Sequence, residues 1–194
     1  MNLTKHACAL ALFSIVFIGS VSTAAAQAEA TQQLEPSYEI ALHVVIGSNE
    51  AAKTDLPGNL SNISRYLKGN FSFSNYRLAN TIFGRISNTG TVEYKGITNL
   101  FGSENDAESQ SFLEWTIGGF RALPTGFQAR SFRFGARVPV RVSPGNSAFN
   151  YESVGLTMNM IGLPANKPTL IGTIGMPRAS GTVFLVATVR TAEM

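Results

Sequence analysis

The sequence predicts an α+β domain, mostly antiparallel β, in which one helix near the N-terminus is followed by a β-sandwich or partly open barrel. Three observations carry that expectation. Apolar residues recur with period two through most of the chain after Gly69, as in half-buried strands. A single stretch, Leu56 to Lys68, keeps helical spacing instead. Turn-forming clusters such as Asn88-Thr-Gly-Thr91, Gly118-Gly119 and Ser143-Pro-Gly-Asn146 punctuate the alternating stretches.

The elements follow in order. Lys5 and His6 open the chain, an apolar run extends from Ala9 to Val21, and small residues follow through Ala28. Ala24-x-Ala26 and Ala26-x-Ala28 both fit the small-x-small rule of signal peptidase, so residues 1–28 read as a cleavable secretory signal. The competing reading is a membrane anchor. The uncharged run is shorter than the roughly 18–20 residues a bilayer needs, and no basic stop-transfer cluster follows. Residues 29–37 form a polar tail containing Pro36. Tyr38, Ile40, Leu42, Val44 and Ile46 then share one face of a strand. In the helix, Leu56, Leu60, Ile63 and Leu67 form one stripe, with Asp55 as cap, Pro57 in the first turn and Gly69-Asn70 as the stop.

Phe71 and Phe73 begin the next strand, which continues with Tyr76, Leu78, Ile82 and Ile86 on one face. Asn88 to Thr91 predicts a hairpin turn into Val92 and Tyr94. A polar loop from Gly102 to Gln110 precedes Leu113, Trp115 and Ile117. The clearest strand is Arg130 to Val142, where Phe132, Phe134, Ala136, Val138, Val140 and Val142 alternate with Arg133, Gly135, Arg137, Pro139 and Arg141. Proline has no N–H to donate to a ladder, and Pro139 therefore puts this strand at an edge or a bulge. Val154 to Met160, Leu170 to Ile174 and Thr182 to Arg190 complete the pattern of one domain spanning 38–194, in a strand–helix–strand part (38–101) and a β part (109–194).

Composition narrows the chemistry. Cleavage after Ala28 leaves 166 of the 194 residues, enough for one domain that buries roughly two-thirds of its unfolded surface. Cys8 is the only cysteine and lies before the apolar run, so it is not placed as a lipid acceptor and leaves with the signal. Disulfides, thiolate catalysis and cysteine-bound metals are then excluded from the mature chain. Its 14 basic and 12 acidic residues are too nearly balanced to imply nucleic acid or a polyanionic membrane as partner. No later apolar run reaches membrane-spanning length, so the product is expected to be soluble, without a membrane span after cleavage.

Each candidate for chemistry has a plainer alternative. His43 is the sole mature histidine and lies on the strand face opposite Ile40 and Leu42, beside Glu39 and Ala41, without a Cys or a second His to form a metal or catalytic set. Glu104, Asp106 and Glu108 alternate in a loop, but lack the glycine and terminal Glu of a calcium hand. Asp55 and Glu152 are not brought together by any spacing. The glycines of Ile171-Gly-Thr-Ile-Gly175 suit a bulge or a close backbone approach. Asn59, Asn62 and Asn70 each begin a glycosylation sequon. No nucleophile, zinc-hydrolase or phosphate-loop motif is present, so the expectation is no catalytic residue, no metal and no cofactor. Arg121, Arg130, Arg133, Arg137 and Arg141 occur with no acidic residue between Trp115 and Tyr151. They read as a solvated face or charge protecting a strand edge, with a polyanion site as the alternative.

Three segments, in order, resemble the core domain of bacterial secretins, the outer-membrane rings of type II and III secretion and type IV pili. Phe134-Gly-Ala-Arg-Val-Pro-Val140 looks like their strand with a Val-Pro-Val step, and Tyr151-Glu-Ser-Val-Gly-Leu-Thr-Met158 is similar to their Tyr-x-x-Val-Gly segment. Lys167-Pro-Thr-Leu-Ile-Gly-Thr-Ile-Gly175 resembles their later strand ending in Gly-Gly-Leu. The resemblance covers about sixty residues and implies structural roles for Val138, Pro139, Val154, Gly155 and Gly172. Secretins place membrane-inserting hairpins between the second and third segments, where this chain has only Ile161 to Asn166. The resemblance therefore implies a shortened soluble module, not a pore. The resulting expectation is a non-enzymatic periplasmic scaffold whose Arg133, Arg137, Pro139 and Arg141 strand takes an envelope protein, or a second copy, by strand addition. The alternatives are a periplasmic or secreted binding protein for a small apolar or anionic ligand, and an enzyme of unrecognised type.

Overall fold

The structure is a computed structural model that describes residues 36–49, 55–98, 110–141, 149–176 and 181–192. The chain divides into two units, residues 1–34 and 35–194, and every described residue lies in the second. The signal peptide, most of the polar tail, the loop carrying Glu104, Asp106 and Glu108, and the turn at 143–146 lie outside the described residues.

The described elements are β1 (Ser37–Ser48), a 3-10 turn (Gly58–Leu60), α1 (Ser61–Asn70), β2 (Asn75–Ser87), β3 (Thr91–Thr98), β4 (Ser111–Gly118), β5 (Arg121–Leu123), β6 (Gly126–Arg141), β7 (Phe149–Pro164), β8 (Thr169–Gly175) and β9 (Gly181–Thr191). They form a mostly antiparallel protein with one short α-helix and two sheets, not a closed barrel. Sheet A runs β2-β1-β9-β8. In sheet B, β6 is flanked on one side by β4, with β5 continuing in the same register, and on the other by β7; β3 lies outside β4.

The alternating positions explain the core. Ile40, Leu42 and Val44 of β1 and Val183, Leu185, Ala187 and Val189 of β9 share one apolar cluster with Trp115 of β4 and Phe132, Phe134 and Ala136 of β6. Tyr38, Phe120 and Phe127 add aromatic contacts at ring separations of 5.0–5.4 Å. A second cluster forms on the other face of sheet A, where Leu56, Leu60, Ile63 and Leu67 meet Val45, Tyr76, Phe184 and Val186. β9 is therefore apolar on both faces, Val183 and Leu185 toward sheet B and Phe184 and Val186 toward the helix.

Several local expectations are corrected. The apolar stripe of the helix is buried as its spacing requires, but the α-helix starts at Ser61 after a 3-10 turn, and Gly69-Asn70 is its last turn, not its stop. Asp55 makes no cap; it stands 3.5 Å from Lys68, both exposed. Phe71 and Phe73 precede β2 and pack against Phe184. Tyr76 and Leu78 do not share a face with Ile82 and Ile86. Pairing with β1 skips from Val44↔Asn80 to Val45↔Leu78, so Ala79 is an extra residue, and such a bulge reverses the facing of everything beyond it. The turn at Asn88 and Thr89 is present, with Thr89 at φ 63° and Gly90 N–H donating to the Ser87 carbonyl at 3.1 Å. It makes no hairpin, because β2 and β3 belong to different sheets.

Candidate functional site

The long strand β6 begins at Gly126, earlier than its alternation suggests, because Phe127 and Ala129 are buried in the opposite phase to Phe132, Phe134 and Ala136. The phase turns over between Ala129 and Ser131, and β7 turns over at the same level, where Met160 takes φ 56° and is 60 % exposed. Met160 therefore leaves the face of Val154, Leu156 and Met158, which pack against the core, and Ile161 and Leu163 are buried in its stead.

The edge assignment for this strand is corrected by its neighbours. Over residues 131–137 β6 is paired with both β4 and β7, so the backbone around Arg133 and Arg137 has no free ladder to offer a partner strand. Pro139 is paired only with Tyr151 of β7 and lies beyond the last β4 pair, Phe112↔Arg137. A residue without an N–H is tolerated there because β6 overhangs its other neighbour. Arg141 ends the strand opposite Phe149, and its side chain lies outside the described residues.

The arginines instead stand on a face. Arg133 and Arg137 are exposed on the side of sheet B away from the core, separated by Gly135. In the ladder, Lys95, Glu114, Gly135 and Gly155 follow one another across four strands, and the next row runs Ile97, Phe112, Arg137 and Ser153. Two adjacent glycines strip the middle of the face of side chains. A Cβ on Gly155 would sit 2.8 Å from the Phe134 carbonyl oxygen, so that position admits no larger residue without a backbone shift. On the β3–β4 side of Gly135 a groove of about 660 Å3 is lined by Lys95, Ile97, Phe112, Glu114, Gly135 and Arg137 among others. At its rim Phe112 and Tyr151 are 45 % and 43 % exposed with ring centres 5.7 Å apart. Ile97 is 59 % exposed.

Arg121 and Arg130 are also exposed. Of the positions implied by the secretin resemblance, Val138 is buried in the core and Val154 packs against it, while Gly172 lies against the Leu156 side chain. The β8 pairing skips Ile171 between Leu170 and Gly172, a bulge with a close approach at its glycine.

A second groove, of about 400 Å3, lies on the outer face of sheet A beside the helix entry. His43 is at its inner end, buried, with Nδ1 3.0 Å from Thr81 Oγ1 and Nε2 3.4 Å from Thr188 Oγ1. Burial pushes its pKa below the ordinary value, so the neutral ring is favoured. One ring nitrogen then donates and the other accepts, and a hydroxyl can serve either role. At the far end Arg190 donates to Glu39 at 2.7 Å. Asp55 and Glu152 are not drawn together: Asp55 is beside Lys68, and Glu152 stands opposite Val138 in β7. Asn59, Asn62 and Asn70 are exposed, and the Asn70 amide donates to the Tyr66 carbonyl. Among the described residues no group of three or more His, Cys, Asp or Glu is placed to hold a metal ion.

The apolar members of both grooves were signalled by broken period. Phe112 adjoins Leu113, Ile97 is out of phase with Val92 and Tyr94, and Phe83 is out of phase with Ile82 and Ile86. Apolar residues on the polar phase of a strand are surplus to the core and mark an outer face. No protein-family model matches the chain, and no characterised protein matches it either.

Proposed function

We propose that this protein is a non-enzymatic, exported interaction module, a shortened secretin-like β unit of the bacterial periplasm that holds an acidic partner protein of the envelope against the outer face of sheet B. The two sheets, which share one core, are read as a sandwich with the helix on its far side. The observation that carries the reading is the Gly135–Gly155 trough, bordered by exposed Phe112, Tyr151 and Ile97 and by exposed Arg133 and Arg137. Aromatic and arginine side chains are the groups that most often anchor protein interfaces. Contact is by face docking; the strand addition to β6 first expected has no open backbone at 131–137.

The test is a pull-down from the native envelope with wild type, with Arg133, Arg137 and Arg141 all replaced by glutamate, and with Phe112→Ser combined with Tyr151→Ser. Charge-steered binding weakens in the arginine variant and falls as salt rises for wild type. Loss of the aromatics costs affinity at every salt. Partners retained by both folded variants would refute the assignment of this face.

A further inference from the structure

We infer that the groove beside His43 is a binding site for a neutral sugar, separate from the face proposed for the protein partner. Helix α1 covers only the part of the outer face of sheet A that carries Val45, Phe184 and Val186. Beyond it the ladder row Phe83–Ala41–Thr188 lies open, and its middle residue is only an alanine. That small side chain makes a floor. Phe83, 62 % exposed, stands on one side of it. Asn166 and Pro168, from the connection between β7 and β8, and Asn59, from the turn before the helix, complete the lining.

The chemistry of this lining selects a ligand class. Its volume of about 400 Å3 falls within the roughly 300–1,000 Å3 usual for small-molecule sites. The charged lining residues, Arg190 and Glu39, are paired with each other at 2.7 Å, and Arg85, on the other side of Glu39 in the same row, is not part of the lining. His43 adds no charge, because burial of its ring between Thr81 and Thr188 disfavours the charged form. What remains are two carboxamides, a hydroxyl and one exposed aromatic ring. Carboxamides and hydroxyls both donate and accept, which matches a ligand whose hydroxyl groups do the same. An aromatic face offers apolar area to the C–H side of a sugar ring. A purely apolar ligand would leave the amides unpaired at a cost.

Asn166 is a fixed member of the set. It adopts φ 58°, a conformation asparagine tolerates better than most residues, and its N–H donates to the Val189 carbonyl at 2.9 Å. The loop is thereby tied to β9 next to Thr188, so the site is held before any ligand arrives.

The experiment uses the full chain and follows backbone amide shifts by NMR. Glucose, galactose, mannose, N-acetylglucosamine and their β-linked disaccharides are titrated at millimolar concentration, with inorganic phosphate and cyclohexanol as anionic and apolar comparisons. The expected result is saturable shifts at Ala41, His43 and Thr188 with at least one sugar. Phe83→Ala and Asn166→Gly, which leave the core untouched, each weaken that binding by roughly tenfold or more. Ala41→Leu fills the floor and abolishes it. Phe112→Ser combined with Tyr151→Ser leaves it unchanged, which separates this site from the partner face. The inference is overturned if no sugar shifts these amides, if phosphate or cyclohexanol binds there more tightly than every sugar, or if folded Phe83→Ala and Asn166→Gly bind as wild type does.

Discussion

At the residue scale His43 makes the most specific physical demand. Its imidazole is 5 % exposed and bridges three strands, touching Thr81 on β2 and Thr188 on β9 from its place on β1. Burial lowers its pKa below the ordinary 6.5, so below that pH the unfolded chain takes up a proton that the folded chain resists. The stability tied to this group is complete above the unfolded pKa, declines as pH falls through it, and levels off only below the folded pKa. Denaturant midpoints measured between about pH 7.5 and 5, above the range where carboxylates titrate, should therefore fall toward acid. His43→Asn should flatten that slope, whatever it does to stability at neutral pH. A slope that persists in the variant would assign the effect elsewhere. The strand alternation placed His43 on the face opposite Ile40 and Leu42, but its partners Thr81 and Thr188 come from neighbouring strands that its own sequence neighbourhood does not name.

At the element scale, the β6–β7 ladder is the feature that shapes the outer face of sheet B. Gly135 and Gly155 are directly paired, and Gly155 lies against the Phe134 backbone. Gly155→Ala should destabilise the protein by about 1–3 kcal/mol, as overpacking does elsewhere. Gly162→Ala on the same strand meets nothing within 4 Å and should be neutral or stabilising, since it restricts the unfolded chain. Equal effects at the two sites, measured by chemical unfolding, would show that backbone crowding at Gly155 is not what limits it. The alternation of β6 and β7 was legible from Phe132 and Val154 onward. The turnover at Met160 and the extra residue Ala79 were not, because a bulge is specified by a partner strand and period counting assumes none.

At the scale of the whole molecule, the first and last described strands are paired at the centre of sheet A. β1 and β9 run antiparallel from Tyr38↔Thr191 to Ser48↔Gly181, and β9 also holds β8. A chain ending at residue 180 would leave β1 paired with β2 alone, β8 without a paired strand, and both apolar clusters without their β9 members. Such a chain should lose its cooperative unfolding transition and its dispersed amide spectrum. If it kept both, the central pair would be dispensable and the core would lie elsewhere.

The sequence by itself determined which face of most strands is apolar and that Leu56, Leu60, Ile63 and Leu67 form one buried stripe, because these follow from periods of two and 3.6 along a single segment. It also determined that Pro139 needs a place where a ladder bond is dispensable, since that restriction belongs to the residue itself. Only the tertiary structure decided that this place is an overhang beyond β4, and that Arg133 and Arg137 lie on a face between two neighbours. Both grooves are of the same kind: Ala41 with Asn166, and Phe112 with Gly135, are far apart in the chain and meet only through strand order and register. Pairing of that sort is set by the sum of many weak contacts across the two sheets, and no local pattern carries it.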